Sequence, residues 1–441
     1  MVNIQYLDYS IGRFVIILLV TWIIIYLATR RFKGENKFVI YVISLFLFVY
    51  SGIGGSFIEV PIIYIFYYFI FLIFFLIVFI RIGFKNTKTI KYQIFVDNFI
   101  SKEILSRRNA NIIILTYFTV VFVSSYYPDF NFKRLFIILN PELKFSIERF
   151  HGDSIQSLLF YIELLLRPLY FLSLIQYRKR LIRFILILII PLYIGYTASP
   201  YISRSDLVPL SLVFLYSCYY YYPIYRKTII LLLIASIGPM IIMLYRYSMA
   251  RIGAEFQNTS LIDALVGILN TEITFPLHFK EFWNNEFRQD IDQFVLWIIT
   301  LPIPGFIKGS AFGFSLNYNT SAFLLNVEKG GTGYYVLLIG MVTESFIIFG
   351  KYFIFLMAIL CGYVLGYTYR ILSFSSQFNI LRFYFIFYIC YAFARAGTGA
   401  LFPTVINSFI LFYIVVIYIY NKVNKCYQYP SLIDSSFGVK N

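Results

Sequence analysis

One acid, Glu344, stands among apolar residues in GGTGYYVLLIGMVTESFIIFGKY (330–352), a stretch that opens on three glycines. A carboxyl in partly apolar surroundings has a raised pKa, which suits general-base work near neutral pH. The alternative is a buried acid paired with an arginine. Arg395 in YAFARAGTGALFP follows an apolar run and precedes a turn of small residues, and reads either as a helix-end anchor or as a cation beside loose backbone that can approach an anion. Arg204 in SPYISRSDLVP, with Asp206 beside it, reads either as an interfacial anchor or as a guanidinium fork for phosphate oxygens. Arg246 and Arg251 in YRYSMARIG stand on adjacent turns. Together these four arginines would form a cationic ring at a membrane–water boundary, where a lipid pyrophosphate sits.

Other chemistry-bearing residues are few. His151 and His278 are the only histidines, and either could shuttle a proton. Glu163 and Arg167 are four apart, the favourable order for an ion pair on one helix face, and read as a tie between helices. Trp283 and Trp297 could stack on sugar rings. There is no HExxH or CxxC spacing and no Walker lysine, so neither a metal nor a cofactor nor ATP-driven transport is expected.

The elements that must position these groups are membrane helices. Of the 441 residues, 60% are hydrophobic and 13% charged, and runs such as PIIYIFYYFIFLIFFLIVFI (61–80) are long enough to cross a bilayer. Backbone polar groups in lipid need internal partners, so such runs are helical. The fold class is an all-α, polytopic integral membrane protein of about 11–12 transmembrane helices. The net charge of +16 is spread in short clusters between apolar runs, at 30–37, 81–108, 178–183 and 225–227, which is a topology signal and not a nucleic-acid footprint. The four cysteines form no disulfide framework.

With the basic clusters in the cytoplasm, helices near 11–29, 38–54, 61–80, 110–126, 154–177, 182–198, 207–222 and 228–245 thread consistently. Residues 246–332 form a large outward loop with eight acids against six lysines and arginines. Within it, 260–269 reads as an amphipathic surface helix, and 294–307 is too short and proline-broken to span. If 333–349 crossed fully, Arg370, Arg382 and the basic C-terminal NKVNK would all face outward, against the positive-inside rule. A re-entrant or shallow 333–349 satisfies every cluster, giving eleven crossings plus one partial insertion. The resulting division is helices over 1–245, the loop 246–332, the re-entrant segment with the C-terminal helices over 333–421, and a cytoplasmic tail 422–441.

This organisation resembles the Wzy-type O-antigen polymerases. The resemblance is carried by TASPYISRSDL, the LPIPGFIKG region, TESFIIFG and ARAG before the last helix. The proline segment lacks the arginine that the family pattern would have there. The resemblance implies a glycosyltransferase of the bacterial inner membrane that joins undecaprenyl-pyrophosphate-linked oligosaccharide repeat units at the periplasmic face. Its partners would be those lipid-linked oligosaccharides, membrane lipid and a chain-length regulator protein. On that scheme Arg204 and Arg395, with Arg246, Arg251 and His278 nearby, bind substrate and stabilise the leaving pyrophosphate, while Glu344 deprotonates the acceptor hydroxyl. An O-antigen ligase shares the loop placement. A lipid-linked oligosaccharide flippase has short loops and repeated halves, which this chain lacks.

Overall fold

Lipid offers no hydrogen-bond partner to the backbone, so the apolar runs of this chain wind into helices that pair their own N–H and C=O groups. The computed structural model describes residues 8–85, 90–127, 130–136, 154–198, 204–231, 234–235, 273–303, 316–327 and 336–428. The helices near 228–245 and 260–269 and residues His151, Arg246 and Arg251 lie, wholly or largely, outside these residues. The architecture is all-α and polytopic. Seven described helices are long and apolar enough to cross a membrane, or eight if a pair bent by 46° near its centre is one span.

The helices in chain order are α1 (Ile11–Thr29), α2 (Gly34–Ser56), α3 (Ile62–Gly83), the short α4 (Ile90–Phe99), α5 (Arg107–Tyr126), α6 (Ser154–Ser173), α7 (Leu181–Ala198) and α8 (Arg204–Tyr221). From the polar segment come α9 (His278–Asn284), α10 (Ile291–Ile299) and α11 (Leu316–Leu325). The C-terminal part contributes α12 (Met341–Phe349), α13 (Ile354–Leu372), α14 (Ser376–Ala396), α15 (Thr398–Phe402) and α16 (Ile410–Gln428). Two boundaries differ from the sequence reading. The basic stretch 81–108 contains α4, and α16 runs on to Gln428, so the expected tail beginning at 422 starts as helix. The lysines there lie on its polar last turns, which the hydropathy of the span does not reach.

Contacts between distant segments fix which ends of the helices lie together. At one end, Ser10 N–H donates to the Ser56 carbonyl at 3.0 Å, and Arg13 donates to the carbonyls of Phe57 and Val60 at 2.9 and 2.8 Å. Gly54 packs against the Ile273 carbonyl and Pro276 there. At the other end, Arg382 pairs with Glu35 at 3.3 Å, Tyr369 donates to Asn36 at 3.1 Å, and Asp97 accepts from the Ser375 hydroxyl and the Ser376 amide. The first group gathers loops read as outward and the second gathers loops read as inward.

The direction of α13 shows from which end of the bundle α12 is reached. Gly362 lies against the Phe75 carbonyl, Gly366 against that of Phe79, and Gly83 against Gly366. Numbering rises together along both helices, so α3 and α13 run parallel. The segment before α13 therefore starts from the end of the bundle where α3 starts. Gly340, just before α12, adjoins Phe275 and the Tyr50 carbonyl, and Gly350, just after it, adjoins Arg288. Both ends of α12 sit at the same end of the bundle. This gives a topology prediction: single cysteines at Ile58 and Tyr352 react with a membrane-impermeant thiol reagent from one side, and a cysteine at Lys33 reacts from the other. Labelling of 352 together with 33 would mean that α12 crosses.

Candidate functional site

The helix α12 is bounded by glycines with left-handed backbone, Gly340 at φ 76° and Gly350 at φ 77°. At 1.5 Å per residue it is roughly 13 Å long, under half of a bilayer core. Every residue from Met341 to Ile348 is buried, so α12 is a wedge enclosed by protein. Its cover comes from the polar segment. Phe279 and Trp283 of α9 lie 5.0 and 5.3 Å from the Phe346 ring, and the Arg288 guanidinium stacks 4.0 Å from that ring. The Gln289 amide donates to the Ile347 carbonyl at 3.2 Å.

This wedge holds Glu344 at 1% exposure. Its described partner is a backbone amide and not an arginine: Thr398 N–H donates to Oε2 at 2.8 Å. Between α14 and α15 the chain breaks at Gly397 (φ 66°, ψ −148°), a conformation open to glycine alone. A Cβ there would fall 2.2 Å from Glu344 Oε1, so the carboxyl occupies the space a side chain would need. Burial pushes the Glu344 carboxyl up, to about 7, against the opposing pull of the Thr398 amide. Two loosely spaced motifs of the sequence, TESFIIFG and ARAG, are thus packed directly into each other.

Asn317 of α11 closes the other side of the break. Its Nδ2 donates a long hydrogen bond, 3.5 Å, to the Ala396 carbonyl and lies where a Cβ of Gly399 would be. Nothing in its local sequence, GFSLNYNTS, marks Asn317 as special. Thr398 and Arg288 were likewise invisible to a reading of motifs. The only signal for the first was the glycine pair Gly397 and Gly399, whose missing side chains leave room for two others.

Of the arginines read as a cationic ring, Arg395 is placed by its side chain: it is half-buried in the last turn of α14, two residues before Gly397. Arg204 is the first residue of α8, with its side chain outside the described residues, and Arg246 and Arg251 lie outside them altogether. His278 opens α9, and burial pushes its imidazole down, favouring the neutral ring. Trp297 is 6% exposed and packs on Phe294 and Phe402, so it is core and offers no sugar platform. Trp283 lies against Phe346 with the Lys351 ammonium 4.9 Å from its ring centre.

Glu163 and Arg167 form the expected pair at 2.9 Å and tie three helices. Glu163 also accepts from Ser124 of α5 at 2.9 Å, and Arg167 donates to Tyr388 of α14 at 3.2 Å. Beside α12, an open depression of about 670 Å³ is lined by Arg288, Gln289, Asp290, Asp292 and Gln293 on one side and Ile348 to Gly350 on the other. Its amides are linked, Asn319 donating to Gln289 at 2.8 Å and Gln289 to Gln293 at 3.0 Å. Among the described residues, no three of His, Cys, Asp and Glu converge as metal ligands would.

The arrangement therefore places a half-buried guanidinium, a broken helix and a polar depression at one end of a membrane bundle. No family model, curated protein or solved structure matches the chain.

Proposed function

We propose that this chain is a membrane glycosyltransferase that lengthens glycans carried on a lipid pyrophosphate, in the manner of the O-antigen polymerases that its sequence resembles. One observation carries the reading. The TESFIIFG and ARAG segments, 54 residues apart between their contacting atoms, meet at the end of the bundle where the described parts of the polar segment, 273–303 and 316–327, pack. A guanidinium at that boundary suits the charge that develops on a departing pyrophosphate, because a preorganised cation needs no reorganisation as the bond breaks. On this reading Arg395, half-buried in the last turn of α14, does this work. The neighbouring depression, with its amides, carboxylates and Arg288, offers both donors and acceptors to sugar hydroxyls. On this reading the membrane is a bacterial inner membrane and the site faces the periplasm.

The test is a gel of surface lipopolysaccharide from a clean deletion strain beside strains complemented with wild type, Arg395→Ala and Arg395→Lys at matched membrane levels. Deletion and Arg395→Ala are expected to collapse the ladder to core plus one repeat unit, with partial recovery in Arg395→Lys. An unchanged ladder after deletion would remove the reading. Loss of every repeat unit would point instead to flipping or ligation, and polymer retained on its lipid carrier would single out ligation.

A further inference from the structure

We propose that Glu344 and Asn317 form a two-sided cap that fixes the break between α14 and α15 and so positions Arg395; Glu344 is then a positioning residue and not the proton acceptor of the reaction. A helix that ends inside a protein leaves carbonyls without partners, and one that begins there leaves amides without partners. Both occur at Gly397. The Phe393 carbonyl is met by the Gly397 amide at 2.9 Å, and the Gly397 carbonyl by the Leu401 amide at 3.0 Å. Of the other groups at the break, two are met by side chains from elsewhere in the chain. Glu344 of α12 accepts from the Thr398 amide, and Asn317 of α11 donates to the Ala396 carbonyl.

Steric fit supports the same assignment. The two glycines of the AGTG run are the two positions where a side chain would strike the capping groups, Gly397 against the Glu344 carboxyl and Gly399 against the Asn317 amide. Glu344 is enclosed at 1% exposure, with Oε2 engaged by a backbone amide and Oε1 over Gly397, which is the geometry of a cap. Arg395 sits one half-turn before the break on the helix that the cap holds. The residues flanking α11 and α12 belong to the polar segment and its exit, so that segment sets where the guanidinium stands.

Glutamine at 344 separates the roles, because its amide oxygen accepts from Thr398 N–H while it cannot take up a proton. The link to pyrophosphate rests on the proposed function, so the cap is read first without it. In purified full-length protein, an Arg395→Cys reporter is labelled by a water-soluble thiol reagent. Adding Glu344→Gln should leave the labelling rate unchanged, and adding Glu344→Ala or Asn317→Ala should change it several-fold. Gly397→Ala should lower the melting midpoint by several degrees alone and by less when Glu344→Ala is present, since the struck carboxyl is gone. Additive effects at 344 and 397, or equal reporter rates in all variants, would overturn the cap. In cells, Glu344→Gln should keep the ladder and Glu344→Ala should shorten it. Loss of the ladder in a Glu344→Gln protein with wild-type reporter rate and melting would make Glu344 the base and overturn the positioning role. A ladder indifferent even to deletion would strike the functional reading alone and leave the cap standing on the first two readouts.

Discussion

Arg167→Ala is expected to deplete the protein from the membrane and to lower the melting midpoint of what remains more than any other single truncation of a polar side chain. Glu163 and Arg167 are 13% and 17% exposed, midway along a membrane helix. Removing one partner leaves the other charge enclosed by apolar side chains, which costs about 3–5 kcal/mol in buried pairs. The guanidinium also donates to Tyr388 and lies 5.7 Å from that ring's centre, so α6 loses its polar tie to α14 and keeps only packing such as Phe171 on Tyr384. Glu163→Ala should be nearly as harmful, since it strands the arginine and frees the Ser124 hydroxyl. The double variant Glu163→Gln/Arg167→Met should recover much of the loss, because no unpaired charge remains. Melting in detergent and quantitative membrane blots check this series. A double variant no better than Arg167→Ala would show that the pair acts through shape and not charge.

Gly362→Leu is expected to be the most damaging substitution in the apolar core. A Cβ at Gly362 would stand 2.8 Å from the Phe75 carbonyl oxygen and 3.2 Å from Val78 Cβ, and one at Gly366 would stand 3.0 Å from the Phe79 carbonyl oxygen. The two carbonyl oxygens are backbone and Val78 Cβ is bonded directly to it, so none of the three can rotate away. The spacing Gly-xxx-Gly lets two helix backbones approach closely, and in lipid such packing is a main source of helix association. Overpacking of this kind costs about 1–3 kcal/mol even where neighbours can shift, and leucine at this site leaves α3 and α13 no route but separation. The control is Gly195→Leu in α7, where an added Cβ meets nothing within 4 Å. Thermal unfolding should separate the two variants clearly; equal melting would mean that α3 and α13 are not held at this distance.

Local chemistry made much of this protein readable in one dimension. Apolar length gave the spanning helices, because a backbone in lipid has no alternative to helix. The i, i+4 spacing gave the Glu163–Arg167 pair, because helical neighbours three and four apart meet whatever surrounds them. Charge clusters led to an α12 that does not cross, and both of its ends lie at one end of the bundle. What the sequence does not disclose is azimuth. On α1 the buried stripe is Ile17, Thr21, Ile25 and Thr29, yet Ile16, Leu19 and Ile23 beside it are as apolar and face outward. When both lipid and protein interior accept the same side chains, periodicity no longer marks the inner face. Packing alone decides it.

The site illustrates the same limit. Glu344 was visible as an acid in an apolar stretch, but its partner was not, because the group that meets it is a backbone amide, which every residue but proline carries. Asn317 was invisible for a related reason: its role depends on an unsatisfied carbonyl 79 residues away, exposed only because α14 stops at Gly397. Composition and spacing determined the class of fold and which charges needed company. The tertiary structure decided which broken helix end each of them completes, since a hydrogen bond across distant segments depends on where two chains stop and not on what either one is made of.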